Sequence, residues 1–197
     1  MFRAELKLDL ELDVVPVEGW NRNDYFDATG LVWTDPSPNI RSLTQALLYP
    51  GVGLIEMTNV SVGRGTDTPF EVVGAPWMDA RKLAVHLNEA GVPGVRFIPV
   101  HFTPTTSAFA GETCQGVNIV VTDRGRFQPL SAGLQLMCSL IAVHRDQWDR
   151  TNLNRLLSSR KTVEAVESGQ SVHEIELLWA EDLARFLNRR RRFLRYE

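Results

Sequence analysis

Apolar and polar positions alternate near the start of the chain, from residue 7 to residue 14. The apolar members of this run are Leu8, Leu10, Leu12 and Val14. Because successive side chains of a strand point to opposite faces, a period of two predicts a strand with one buried face. Residues 95–102 and 117–122 are rich in β-branched and aromatic residues and predict two more strands. The short apolar run 52–56 predicts a further, buried strand.

Helical spacing of apolar residues appears in the middle and towards the end of the chain. Asp79 is a candidate N-cap, Gly91 is a candidate end, and residues 80–87 between them place apolar side chains on one face. A second helix is predicted by the spacing of Leu134, Met137, Ile141, His144 and Trp148. The run 171–174 has the form of a capping box, which predicts one helix from there through Phe186.

The remaining segments predict one short helix and three loops. Residues 42–48 predict a helix that Pro50 ends, because proline has no N–H to donate. Segments rich in turn-forming or polar residues predict loops at 20–38, 57–76 and 103–116. Strands mixed with helices predict an α/β or α+β fold, with a mixed β-sheet flanked by helices.

The composition fits one hydrophobic core. Of the 197 residues, 44% are hydrophobic and 23% are charged, so we predict a single folded domain spanning 1–197. The formal net charge of -3 argues against a nucleic-acid partner, which usually requires a basic surface. We expect no membrane span, because no apolar run reaches the roughly 20 residues required. The start of the chain alternates charged and apolar residues, unlike a signal peptide, and the compartment stays open.

Cysteine and histidine give little support for a metal site. Cys114 and Cys138 lack the spacing of a zinc or redox motif, so we predict two buried thiols, with a disulfide as the alternative. No metal-ligand spacing appears among the histidines. His101, close to a strand end and a polar loop, is a candidate for substrate contact. Packing or surface roles are expected for those on predicted helices, namely His86, His144 and His173.

The most informative stretch is the polar loop 56–71, which follows a predicted strand and has two glycines at its centre. Sugar hydrolysis needs a carboxylic acid and usually a second carboxylate. The candidates on this loop are Glu56, Asp67 and Glu71. Arg64 suits a two-pronged contact with an anionic group. The same composition is also expected of a loop that satisfies its own backbone, with Arg64 paired to Glu71.

Aromatic and basic residues add weaker candidates. Trp20, Trp33 and Trp77 lie in or beside predicted loops, where a ring either stacks on a sugar or caps a core. The basic run 189–192 ends the last predicted helix and complements its dipole. Contact of this run with a polyanion is the alternative, and the net acidic charge of the chain disfavours it.

Seven blocks of sequence together resemble a known protein family. They are DPSPNI (35–40), ALLYPG (46–51), EMTNVSVGRGTDTPFE (56–71), GAPW (74–77), RFIPV (96–100), CQGV (114–117) and VTDR (121–124). From about residue 10 to its end, the chain resembles the C-terminal half of a bacterial family of exo-β-N-acetylmuramidases of peptidoglycan turnover, formerly a domain of unknown function. The part of the third block from residue 58 to residue 71 is the most specific.

This resemblance implies a larger enzyme. Whole members carry a Rossmann-like N-terminal half, absent here, and the sugar cleft lies between the halves. They release terminal N-acetylmuramic acid from muropeptide-derived saccharides, with no metal or organic cofactor expected. The family motif is matched by Glu56, Asn59, Arg64, Thr66 and Glu71. At least some of the proposed catalytic carboxylates belong to the missing half.

We expect the matched residues to complete that cleft. Our catalytic candidates are Glu56 and Glu71, with Glu56 as acid/base or hydroxyl contact. The substrate-binding candidates are Asn59, Arg64, Thr66, Asp67, Trp77 and His101. Of these, Arg64 suits the lactyl carboxylate that distinguishes muramic acid from glucosamine.

Three readings stay open. The chain is part of a muramidase whose N-terminal half is fused or separate, a non-catalytic muropeptide-binding module, or a fragment that only packs against its partner domain. The surface left by a missing half should be apolar, which predicts self-association of the isolated chain.

Overall fold

A computed structural model describes residues 1–196, which fall into a central unit, residues 34–178, and a terminal unit, residues 1–33 with 179–196. In chain order the helices and strands are α1 (Phe2–Glu5), α2 (Leu43–Val52), β1 (Val72–Ala75), α3 (Ala80–Glu89), β2 (Val95–Phe102), β3 (Cys114–Val121), α4 (Pro129–His144), α5 (Asn154–Leu157), α6 (Arg160–Glu167), α7 (Val172–Leu177) and α8 (Ala180–Arg191). Short 3-10 turns lie at Phe26–Thr29 and Gly53–Ile55. None of the helices in residues 1–196 has the length and apolar character to cross a membrane.

The strands form an antiparallel sheet in the order β1-β3-β2. In the register of this sheet, Val73 lies opposite Val117 and Phe97 lies opposite Ile119. Helix α3 packs against β2, β3 and α4, and α4 packs in turn against α2, α6 and α7. The expectation of an α/β or α+β fold with a sheet flanked by helices is therefore confirmed, and the sheet is antiparallel throughout.

Local signals placed several elements correctly. The Asp79 carboxylate accepts a hydrogen bond from the Lys82 N–H at 3.0 Å, and α3 begins at the next residue. Ser171 and Glu174 form the complete capping box at the start of α7. Strand β2 spans the predicted residues. These signals act over three or four residues, so no distant partner is needed to read them.

Several predicted elements were wrong in type or extent. The helix predicted to reach Trp148 ends at His144, and the strand predicted over 117–122 spans Cys114–Val121. Residues 8–14 form no strand, because no other described segment pairs with them. Residues 52–56 continue from α2 into a 3-10 turn, since a short apolar run is equally typical of a buried helix. Helix α2 also runs past Pro50 and ends at Val52, so the helix continues although this residue has no N–H to donate. The helix predicted from 171 to 186 divides in two at Trp179, whose φ of -120° leaves the helical region.

The thiols do not pair. Cys114 is buried, as predicted, and Cys138 is partly exposed, and both are free cysteines, so the alternative of a disulfide is not realised. Burial raises the pKa of the Cys114 thiol to about 11, and the nearby Glu112 carboxylate adds to the shift. A thiol of that pKa is protonated at neutral pH and is a poor nucleophile.

His144, at the end of α4, is buried at 4% exposure. Its Nε2 accepts a hydrogen bond from the Asp79 N–H at 3.2 Å, which requires the neutral ring with the proton on Nδ1. The indole of Trp77 lies edge-on to this ring at 5.5 Å. Burial lowers the pKa of His144 below its ordinary value of 6.5. The charge of Lys82 also lowers this pKa, whereas the Asp79 carboxylate raises it and offsets part of the shift.

We expect acid to destabilise the central unit through His144. Because its pKa is lower in the folded state, the unfolded chain binds more protons in the window below about 6.5, so the free energy of unfolding falls as the pH falls through that window. Urea denaturation at a series of pH values should show a shallower decline for His144→Gln than for the parent chain. Equal slopes in the two proteins would contradict this role.

The terminal unit contains α1, the 3-10 turn Phe26–Thr29 and α8. Aromatic rings make its internal contacts, with Trp20 against Tyr196 at 4.9 Å and Trp33 against Phe26 at 5.2 Å. Among its described residues not one is buried. A unit without a buried side chain gains little from the hydrophobic effect, so its own contacts contribute little stability.

Candidate functional site

A polar cleft of about 510 Å³ lies in the central unit. Three separate segments line it: 38–41 before α2, 65–67 in the polar loop, and 102–106 at the end of β2. The lining residues are Pro38, Asn39, Arg41, Gly65, Thr66, Asp67, Phe102, Thr103, Thr105 and Thr106. Hydroxyl, amide, guanidinium and carboxylate groups with one aromatic ring are typical of a site for a polar, hydroxylated ligand.

Glycines shape the polar loop where it meets the cleft. Gly63 and Gly65 have φ values of 79° and 82°, which side chains rarely tolerate. The hydroxyl and N–H of Thr66 both donate to the Gly63 carbonyl, at 2.7 and 3.1 Å, and close a tight turn. The Gly65 carbonyl accepts from the N–H and the hydroxyl of Thr105, both at 2.8 Å. These bonds hold two walls of the cleft together.

A chain of hydrogen bonds fixes the third wall. The Glu71 carboxylate accepts from the side-chain amide of Gln45 at 3.1 Å, and Gln45 is buried. The amide oxygen of Gln45 accepts from the Arg41 N–H at 2.6 Å. The Arg41 guanidinium then donates to the Thr66 carbonyl at 2.7 Å. Through Gln45, Glu71 therefore positions the cleft residue Arg41.

Glu56 and Arg64, both in the polar loop 56–71, form an ion pair outside the cleft lining. Both side chains are largely covered, at 19% and 31% exposure respectively. The guanidinium also lies over the Phe70 ring at 5.2 Å, and Tyr49 meets the same ring edge-on at 4.9 Å. Phe70 is fully buried and has a φ of 65°, so packing holds it in a conformation that is unfavourable for a bulky residue. Arg64 is thus paired with Glu56 and not with Glu71.

Three other predicted residues lie away from the cleft lining. The Asn59 side chain donates to the Gln147 carbonyl at 2.8 Å and accepts from the Asp149 N–H at 2.7 Å. It therefore ties the loop to the segment after α4. Trp77 packs against His144, and its indole N–H is buried without a hydrogen-bond partner within residues 1–196. His101 is exposed on β2.

Of the eight predicted site residues, the structure places Thr66 and Asp67 in the cleft lining. Glu56 and Arg64 pair with each other outside this lining, and Glu71 reaches the lining residue Arg41 through Gln45. The roles predicted for these side chains stay predictions. No group of three or more histidine, cysteine, aspartate or glutamate side chains within 1–196 is arranged to hold a metal ion.

Sequence reasoning missed Arg41, Gln45 and three threonines, Thr103, Thr105 and Thr106. One signal was available for the threonines, because a polar loop directly follows a predicted strand, the usual place for a binding loop. Arg41 and Gln45 carried no such signal. Their importance comes from contacts with Thr66 and Glu71, which are 25 and 26 residues away along the chain.

The chain matches two family models and one curated relative. The model described as exo-beta-N-acetylmuramidase NamZ, C-terminal, matches residues 47–196, and its N-terminal counterpart matches residues 1–44. The chain is 35% identical over 199 residues to the peptidoglycan beta-N-acetylmuramidase NamZ of Bacillus subtilis (strain 168). That match covers 100% of this chain and 48% of the relative, so the chain spans about half the relative's length.

Two solved structures of DUF1343 family proteins from Bacteroides fragilis NCTC 9343 are similar in fold. One superposes with a TM-score of 0.88 at 27% identity and covers 100% of this chain and 54% of its own. The other has a TM-score of 0.63 at 26% identity and covers 83% of this chain and 44% of its own. The C-terminal family model covers most of the sequence, from residue 47 to residue 196. The chain therefore belongs to the exo-β-N-acetylmuramidase NamZ family.

Proposed function

We propose that the chain is the C-terminal part of a peptidoglycan-recycling glycoside hydrolase that releases terminal N-acetylmuramic acid. In this proposal the cleft between residues 38–41, 65–67 and 102–106 is one wall of the sugar site. An N-terminal half, fused or separate, supplies the other wall. The family membership and the 35% identity to the Bacillus subtilis muramidase support the reaction class.

The carboxylates of the cleft carry the argument for a shared site. Glycoside hydrolysis generally uses two carboxyl groups that flank the bond to be broken. Within the described residues, Asp67 is the sole carboxylate that lines the cleft. A second carboxylate near the sugar therefore has to come from outside this lining. The N-terminal half is the source that we propose.

Glu56 and Glu71 fit this scheme in either of two ways. As catalytic groups, each would have to leave its present partner, Arg64 or Gln45, to reach a sugar in the cleft. As positioning groups, neither has to move. The second role requires less rearrangement, because Glu71 already fixes Arg41 through Gln45.

An arginine should recognise the lactyl carboxylate of N-acetylmuramic acid. Arg64 is paired with Glu56, whereas Arg41 lines the cleft and has no carboxylate partner within residues 1–196. An arginine without a carboxylate partner accepts an anionic ligand without first losing an ion pair. Of the two, Arg41 is the better placed for direct contact, and Arg64 is placed to stabilise the loop.

Replacing each arginine by alanine in a complete two-half enzyme separates these roles. We expect Arg41→Ala to weaken binding of N-acetylmuramic acid about tenfold to a hundredfold, as for loss of a hydrogen bond to a charged group. Binding of N-acetylglucosamine, which lacks the carboxylate, should change little and serves as the control ligand. Titration calorimetry measures both.

Arg64→Ala is the matched control variant for that comparison. Arg64→Ala should weaken the binding of both sugars to a similar extent, because it loosens the loop without removing the contact with the anion. If Arg64→Ala alone lost the preference for N-acetylmuramic acid, the assignment to Arg41 would be wrong. If neither variant changed it, this cleft would not be the muramic acid site.

The N-terminal half binds this chain in cis or as a separate protein. Exposed apolar residues that such a partner would cover also predict self-association of the isolated chain, which sedimentation over a range of concentrations measures.

A further inference from the structure

Residues 8–14 of the terminal unit belong to no helix and to no sheet. The apolar side chains of this segment are all at least 40% exposed, namely Leu8 at 43%, Leu10 at 40%, Leu12 at 54% and Val14 at 44%. Within residues 1–196, the N–H and C=O groups of residues 9–14 make no backbone hydrogen bonds. A segment with the alternation of a strand therefore lacks both the ladder and the covering layer that a strand requires.

The chain enters this segment as it would enter a strand of an α/β sheet. Helix α1 ends at Glu5, and Lys7 then adopts a left-handed conformation with a φ of 51°. The Leu8 N–H donates back to the Arg3 carbonyl at 3.0 Å and closes the turn. A left-handed residue after the last helical turn is a common helix end, so the helix stops before the segment whose alternation predicts a strand.

The charges of this segment disfavour a second copy as the partner. Asp9, Glu11 and Asp13 occupy the face opposite the leucines. Pairing two copies of this segment would bring these carboxylates together, and like charges opposite each other destabilise a sheet. Acidic side chains on one face are instead typical of an edge strand that is protected against self-pairing.

The family comparisons indicate where the missing sheet lies. The N-terminal family model matches residues 1–44, so the segment belongs to the end of that half and not to the C-terminal half. The chain covers 48% of the Bacillus subtilis relative, so about half of that protein lies outside the matched region. A sheet in the preceding half is therefore the partner that the sequence position specifies.

We propose that residues 8–14 form an edge β-strand in the sheet of the N-terminal half. The strand adds its backbone hydrogen bonds to that sheet, as in β-strand addition, and buries the four apolar side chains on one face. The acidic face stays in water. This inference rests on the proposed function, because it uses the same N-terminal half, and it names the segment through which the two parts of the enzyme are joined.

Hydrogen exchange tests the strand. The part of the Bacillus subtilis N-terminal half that precedes the region matching this chain is joined in frame ahead of Met1, so that segment 8–14 is present once. Amide exchange is followed by mass spectrometry in the joined protein and in this chain alone. We expect amides within residues 8–14 to exchange at least about a hundredfold more slowly in the joined protein, as for a strand in a stable sheet. The intact Bacillus subtilis relative offers a second measurement at the aligned segment if the joined protein misfolds.

Two variants in the joined protein distinguish the faces. Leu10→Lys should remove the protection, because it places a charge on the buried face, whereas Glu11→Lys on the water face should leave it intact. Rapid exchange throughout 8–14 in a folded joined protein would overturn the inference. Muramidase activity without protection would reject the strand and keep the proposed function. Protection without activity would keep the strand and reject the function.

Discussion

Replacing Gly65 by alanine is expected to damage the cleft more than any single loss of a hydrogen bond. A Cβ at this position would lie 2.5 Å from both the N and the O of Thr106, and the φ of 82° is unfavourable for alanine. Left-handed backbone and overlap with a neighbouring main chain together cost about 2–4 kcal/mol. The free energy of unfolding should fall by that amount in urea denaturation, and binding of N-acetylmuramic acid by the complete enzyme should weaken.

Gly111→Ala is the matched control for this experiment. Gly111 has a φ of 80° and lies in the same connection as Thr106, but nothing is within 4 Å of the position its Cβ would take. Gly111→Ala should lower the free energy of unfolding by the cost of the left-handed backbone alone, about 1–2 kcal/mol, and should leave sugar binding unchanged. Equal effects of the two variants on binding would show that contact between Gly65 and Thr106 does not shape the site.

Replacing Gly51 by alanine should lower the free energy of unfolding of the central unit by more than the other substitutions proposed. Alanine is normally the better helix former by about 1 kcal/mol. Here its Cβ would lie 2.0 Å from the Pro129 carbonyl oxygen, because α2 and α4 cross at this point with their main chains in contact. The helices would have to separate, so we expect a loss of about 3 kcal/mol or more, measured by urea or thermal denaturation.

A double-mutant cycle with Gly133 tests the cause of this loss. A Cβ on Gly133 would lie 2.6 Å from the Gly51 carbonyl oxygen on the facing helix. Once one alanine has forced the helices apart, the second should cost less, so the double variant should lose less stability than the sum of the single variants. Strict additivity, or a cost of either single variant below about 1 kcal/mol, would contradict the close crossing.

The parts of the fold that followed from sequence are those with local causes. The N-cap Asp79 and the capping box at Ser171 operate within one helical turn, and both helices begin where predicted. Strand β1 went unrecognised, because its residues 72–75 have no alternation and pair with β3 about forty residues later. Its pairing depends on Gly116, where any Cβ would lie 1.9 Å from the Val73 carbonyl oxygen.

The candidate site shows the same division. The loop 56–71 was found because carboxylates, glycines and an arginine concentrate there. That Arg64 pairs with Glu56 depends on how the loop folds back on itself. That the Gly65 carbonyl accepts a hydrogen bond from Thr105 depends on how two distant segments meet. The segment 8–14 shows the reverse case, since its pattern predicts a strand but residues 1–196 contain no strand that pairs with it. A local pattern predicts which side chains of a strand share a face, but it does not predict which strand pairs with it.

Release of N-acetylmuramic acid from a chromogenic β-muramide tests the shared site most directly. The assay compares this chain alone, the N-terminal half of the Bacillus subtilis relative alone, and the two mixed or joined, each shown to be folded by circular dichroism. The account predicts turnover only when both halves are present, and its loss on Asp67→Asn. Full turnover by this chain alone would contradict a shared site. No turnover by the folded pair would reject the hydrolase proposal in favour of a muropeptide-binding module.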